Sequence, residues 1–287
     1  MPARRWLLSL AVMLFACRCA PVVTPAPDRA TPRTAYVQDG AALIASPDAR
    51  AALVERIAGH QLSGVAPYQL APLLVDAQGR TRIAGWIDEV HRAGAQVIVP
   101  VAGRDRIAAL ARVVAEHPGT WIDGVVTELE YWNQPDRATG LTALVELLDA
   151  LIAAGPALAP GRTLRIGAYL GYPTAPEAAE LATRLDFVHL DYSVASPRDA
   201  WPHVHAKGGP LRERYAWFAQ AGVEVWPIFY ATGEVDMAAS LTTLGLAGVE
   251  ARFRADLAAD PAYGQLAATG FAYFTLEAVP PSAWGAR

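Results

Sequence analysis

Two acidic residues stand one position apart in the run Asp123-Gly124-Val125-Val126-Thr127-Glu128-Leu129-Glu130-Tyr131-Trp132. The residues before Glu128 are β-branched and apolar, the composition of a buried strand. Strand alternation puts Val126, Glu128, Glu130 and Trp132 on one face. Two neighbouring buried carboxylates cannot both ionise cheaply, so one keeps its proton near neutral pH. Such a group can protonate a leaving oxygen, as the cleavage of a glycosidic bond requires. The plainer reading is a structural pair bonded to backbone groups or to an arginine, with Arg165 a candidate partner. Asp191 ends another apolar run, Phe187-Val188-His189-Leu190-Asp191, and is a third candidate catalytic carboxylate. For it and for His189 a hydrogen-bonded structural role stands beside the catalytic one.

Aromatic residues gather near the same ends of such runs: Trp132, Tyr169, Tyr172, Tyr192, Trp226, Tyr230 and Phe274. Together they could form a floor for the apolar face of a pyranose, with Glu277 nearby. Core packing explains any one of them singly. His203-Val204-His205 offers too few ligands for a metal site, and neither metal nor cofactor is expected. There is no Gly-x-Ser-x-Gly elbow and no Walker A phosphate loop.

The elements that would carry these residues alternate along the chain. Strand-like runs begin near Thr34, Gly64, Gln96, Gly124, Leu164, Phe187, Val223 and Gly270. Helical stretches cover Ser46–Gly59, Thr81–Ala93, Arg104–His117, Leu141–Ala154, Ala175–Leu185, Gly209–Ala221 and Val249–Ala259. Ser46-Pro47 reads as a cap followed by a first-turn proline. Strict alternation with apolar strands predicts an α/β fold with a parallel sheet covered by helices. Eight units predict a single (β/α)8 TIM barrel, with reactive groups at the C-terminal ends of the strands. An open doubly wound sheet fits less well, because no Gly-rich dinucleotide loop follows the first strand. The last helix is short or missing. The tail Ala278–Arg287, with Pro280, Pro281 and Trp284, or else a partner subunit, must cover that flank. The oligomeric state stays open.

Composition narrows the function classes. The 287 residues are 53% hydrophobic and only 18% charged, with a formal net charge of -4. That composition excludes a disordered chain and argues against a nucleic-acid partner held on a basic face. After residue 20 no uninterrupted apolar run approaches the ~18 residues of a membrane span. The N-terminus reads as an export signal over residues 1–16: Arg4 and Arg5, then the apolar run from Trp6. Leu14-Phe15-Ala16-Cys17 resembles a lipobox, in which Cys17 would be lipidated. A plain secretory signal cut near Cys19 is the alternative. Residues 17–33 form a Pro-rich linker, and 34–287 the barrel. The expectation is an exported, membrane-anchored lipoprotein, periplasmic or at the cell surface. Cys17 and Cys19 are the only cysteines, so the barrel has no disulfide and no thiol nucleophile.

The segment Asp123 to Glu130 resembles the strand-four signature of family 18 glycoside hydrolases, the chitinase and endo-β-N-acetylglucosaminidase family. The family pattern is D-G-x-D-x-D-x-E. Asp123, Gly124 and Glu130 match, Glu128 replaces an Asp, and Val126 replaces the first inner Asp. Val188-His189-Leu190-Asp191 loosely echoes the family's M-x-Y-D, with Leu190 at the Tyr position. Phe274 stands where the family has a Trp. The resemblance implies hydrolysis of β-linked N-acetylglucosamine-type glycans, with Glu130 as acid/base and Glu128 as its partner. The departures at Val126, Glu128 and Leu190 favour the competing expectation, a non-catalytic glycan-binding or scaffold lipoprotein on a degenerate barrel.

Overall fold

The computed structural model describes residues 31–59, 62–191, 211–231, 238–259, 269–279 and 281–284. The leader, Cys17, most of the linker, Tyr192, His203, His205 and Pro280 lie outside the described residues. Eight strands, β1 (Arg33–Val37), β2 (Gly64–Pro67), β3 (Gln96–Val101), β4 (Gly124–Thr127), β5 (Arg165–Leu170), β6 (Phe187–Asp191), β7 (Glu224–Tyr230) and β8 (Phe271–Phe274), follow one another around a ring. They close into a barrel in sequence order, every pair parallel. The chain is a (β/α)8 TIM barrel. β1 begins at Arg33, one residue earlier than the sequence suggests.

The helices are α1 (Gly40–Ala45), α2 (Pro47–Ala58), α3 (Ala71–Leu74), α4 (Ala77–Arg92), α5 (Arg104–Glu116), α6 (Arg137–Leu158), α7 (Ala175–Ala182), α8 (Leu211–Gln220) and α9 (Ala238–Ala258). Their starts follow capping chemistry. Ser46 Oγ accepts from Ala49 N at 3.2 Å with Pro47 in the first turn, as the sequence predicts. Asp76 and Asp136 cap α4 and α6 in the same way. α9 is longer than the stretch from Val249 and bends at Gly245, whose φ is 68°. α6 is long and apolar enough to cross a membrane by composition. Its leucines at 144, 147, 148, 151 and 158 are buried within the barrel's helical layer.

Two cores form. The larger lies between strands and helices. The smaller draws on every strand and no helix: Tyr36, Ala66, Ile98, Val126, Tyr169, Phe187, Trp226, Ile228 and Ala272. It is the barrel interior, filled with side chains. Gly167 belongs to that packing, because a Cβ there would lie 2.2 Å from the Phe187 ring. After β8 the chain makes a 3-10 turn, Pro281–Trp284. Trp284 is 4% exposed and stacks under Arg56 of α2, so the tail covers the flank after β8, where no further α-helix stands among the described residues.

The seam between β1 and β8 is tied on its helix-facing side. Arg33 Nε and Nη2 each donate to a Glu250 oxygen of α9 at 2.6 Å. The Tyr273 hydroxyl of β8 donates to Glu250 Oε1 at 2.6 Å. All three residues are buried.

Candidate active site

The C-terminal strand ends converge on a cleft of about 270 Å³, walled by Gln38, Tyr68, Glu128, Glu130, Tyr169, Ile228, Tyr230 and Phe274. A second cavity of about 360 Å³ shares Tyr68 and Glu128 and runs over β2 and β3 to Gly103 and Arg106. Glu128 therefore lines both cavities, which together make up the groove at the strand ends.

The two carboxylates do not stack on the interior face as simple alternation suggests. β4 ends at Thr127. Leu129 N then donates to Thr127 Oγ1 at 3.4 Å, Tyr131 N donates to Leu129 O at 2.8 Å, and a 3-10 turn follows over Tyr131–Asn133. This turn swings Glu130 to the exposed rim, where Asn133 Nδ2 donates to Glu130 Oε2 at 2.7 Å. Glu128 stays half-buried and accepts a short hydrogen bond from the Tyr68 hydroxyl. Placing one carboxylate in water avoids burying two like charges together.

Burial pushes the Glu128 carboxyl up to about 7; the Glu130 charge adds to this, and the Tyr68 hydrogen bond opposes it. Glu128 can thus carry a proton near neutrality. Tyr68 and Tyr169 are raised far above the usual phenol range, chiefly by burial, and remain protonated. Tyr230 donates to the Tyr169 hydroxyl at 2.9 Å across the cleft.

The turn carrying Glu130 is clamped from behind. Glu177, in the first turn of α7, accepts from Arg137 Nε at 2.6 Å and from the Tyr131 hydroxyl at 3.1 Å. It also accepts from Thr174 N at 2.7 Å. Burial alone would raise Glu177, but the bonds from Arg137 and Thr174 override it and hold its carboxyl at about 2.

The remaining expected site residues divide. Tyr169, Tyr230 and Phe274 line the cleft. Glu277 is exposed and accepts from Gln38 N at 3.2 Å, which places it at the rim. Trp132 is set back, edge-on to Tyr169 at 5.7 Å and to Tyr172 at 6.4 Å. Arg214 lies 5.3 Å over the Tyr172 ring. Asp191 is 5% exposed at the end of β6 and its charge raises Tyr169 and Tyr230; it does not line the cleft. Trp226 is 3% exposed within the barrel interior and is a packing residue, not a sugar platform. Arg165 does not serve the carboxylates: its Nη2 binds Glu224 Oε2 at 2.7 Å toward the base.

Asp123, the first residue of the resembling segment, also lies at the base. Its Oδ2 accepts from Val97 N at 2.8 Å and meets His91 Nε2 at 2.7 Å, while Oδ1 accepts from Trp121 Nε1. Asp186 treats Ile166 N in the same way before β6. These aspartates satisfy neighbouring strand starts. Tyr68 and Gln38 are the cleft residues that sequence reasoning passes over, although the rule that strand ends carry function points to both.

No family model and no curated protein matches this sequence. Solved structures do. A chitinase-like agglutinin from Robinia pseudoacacia superposes with a TM-score of 0.51 at 13% identity, over 88% of this chain and 99% of the other. A chitinase from Bacteroides thetaiotaomicron gives 0.50 at 10% identity, over 86% and 90%. A GH5_18 protein from Streptomyces cattleya, in complex with GlcNAc, gives 0.54 at 14% identity, over 85% and 70%. The chain shares the barrel fold of glycoside hydrolases. At these identities the likeness is one of fold.

Proposed function

We propose that the protein is an exported glycoside hydrolase acting on β-linked N-acetylglucosamine-type glycans. The observation that carries this reading is Glu128, a half-buried carboxyl raised to about 7 in a groove that also holds a second carboxylate. Tyr68, Tyr169, Tyr230 and Phe274 offer the sugar aromatic and hydroxyl surfaces. The sequence resemblance gives the acid role to Glu130. Burial and the bond from Tyr68 favour Glu128 as the donor to the glycosidic oxygen, with Glu130 at the rim as the second carboxylate. The chitinase-named neighbours add weight to an acetamido sugar as substrate. Reducing-end release from acetamido and non-acetamido oligosaccharides tests the assignment. Release from acetamido glycans, abolished by Glu128→Gln with the fold intact, is expected; unimpaired release by that variant rejects the acid assignment.

A non-catalytic glycan-binding role is favoured by one feature, Val126 at the position of an inner acid, and the agglutinin among the structural neighbours is in keeping with it. Saturable glycan binding with no released ends from any substrate establishes that role instead. The leader residues Arg4, Arg5 and Leu14 to Cys17 support a lipid anchor. The linker would then enter at the start of β1, the barrel end opposite the groove. Metabolic labelling with a palmitate analogue, lost in Cys17→Ala, tests the anchor.

A further inference from the structure

Beneath the groove, a hydrogen bond crosses the barrel interior between strands that are not neighbours. The Tyr36 hydroxyl of β1 lies 2.6 Å from His189 Nδ1 of β6, and both residues are 0% exposed. Tyr36 is stacked under Tyr68 at 5.3 Å and packs against Phe274 at 5.9 Å. Tyr68 in turn donates to Glu128. The layer that holds the pair has Val126, not a carboxylate, on β4.

We propose that His189 is a positioning residue for the groove: it fixes the direction of the Tyr36 O–H under the Tyr68–Glu128 pair. This role rests on the proposed hydrolase site. The other ring nitrogen decides the tautomer. His189 Nε2 is buried and makes no hydrogen bond among the described residues. A proton on Nε2 would leave an orphaned buried N–H, a rare and costly arrangement. A proton on Nδ1 leaves a lone pair unused on Nε2 and releases the Tyr36 hydroxyl hydrogen, which can rotate about its C–O bond toward an acceptor where a ring N–H cannot. Nδ1–H then donates to the Tyr36 oxygen, and the Tyr36 hydrogen turns to the side of Glu128, whose charge bears on Tyr36. Burial first, and then the Arg165 charge, pushes His189 down to about 3, so the imidazole stays neutral through the working range.

Three measurements test the pair, and two of them need no turnover. Nitrogen-15 NMR of histidine-labelled protein should show His189 as the neutral Nδ1–H tautomer down to pH 5; an Nε2–H tautomer overturns the proposal. Carbon-13 titration of Glu128 should move in Tyr36→Phe and in His189→Phe by the same amount; an unmoved titration in both overturns it. If glycan hydrolysis is established, each variant should lower kcat about tenfold with KM little changed. The double variant should then lose no more than either single one, because the pair acts as a unit. Additive losses, or a loss of Tm alone, assign the pair to packing. Tyr36→Phe removes a single oxygen and keeps the ring, so the test survives if His189→Phe fails to fold. Absence of turnover in the wild type rejects the hydrolase reading, while the tautomer and the Glu128 titration still decide the role of His189 independently.

Discussion

Tyr68, at the end of β2, donates its hydroxyl proton to Glu128, which follows β4 two strands away. The bond opposes the burial that raises the Glu128 carboxyl to about 7. Tyr68→Phe removes a donor that favours the charged form, so the Glu128 carboxyl should rise further. The high-pH limb of kcat/KM should then move upward, while total activity falls. The pH profile of the variant checks this, and a limb that moves downward contradicts the assigned direction.

Gly171 follows β5, and a Cβ there would lie 2.8 Å from the Trp132 indole. Gly171→Ala should therefore displace Trp132 from Tyr169 and Tyr172, changing tryptophan emission and weakening glycan affinity. Global stability should fall by about 1–3 kcal/mol, as overpacking commonly costs. The emission change should vanish in a Trp132→Phe background; its persistence would assign it to another indole.

The strands are legible in the sequence because each is a short β-branched or aromatic run that a parallel barrel buries on both faces. The short helices α1 and α3 carry too few turns to show a 3.6-residue period, and they escape sequence reading. Glu130 is misplaced when alternation is carried past Thr127, where a 3-10 turn sets the chain direction. Trp226 and Tyr230 lie on the same face of β7, yet four residues at about 3.3 Å each separate the base from the mouth by about 13 Å. Periodicity assigns the face and says nothing of depth. Tyr68 sits where the strand-end rule looks, but its role comes from a partner after β4, a contact that no local pattern encodes.

The Arg33–Glu250–Tyr273 cluster holds the β1–β8 seam at a distance from the groove in the fold. Glu250→Gln leaves the buried guanidinium without its counter-charge, at a cost of about 3–5 kcal/mol. The Glu128 titration should not change. Chemical denaturation and carbon-13 titration of the same variant check both halves, and a coupled shift in Glu128 would show that seam and site are not independent.

Stability should depend on pH with opposite signs from two buried groups. The Glu128 carboxyl is raised from 4.5 to about 7, so between those values the folded state holds a proton that the unfolded chain has lost. Its contribution is fully present below pH 4.5 and disappears as pH rises toward 7. At about 1.4 kcal/mol for each tenfold step in proton affinity, the difference is about 3 kcal/mol. His189 is lowered from 6.5 to about 3, so its contribution is present above pH 6.5 and is lost as pH falls toward 3. Glu128→Gln, neutral at every pH and still able to accept from Tyr68, should be more stable than the parent at pH 8 and equal to it near pH 4.5. Urea denaturation at the two pH values separates the cases. Equal stability at pH 8 would show that Glu128 is better solvated than its burial implies, and with it the basis for making Glu128 the acid would fail.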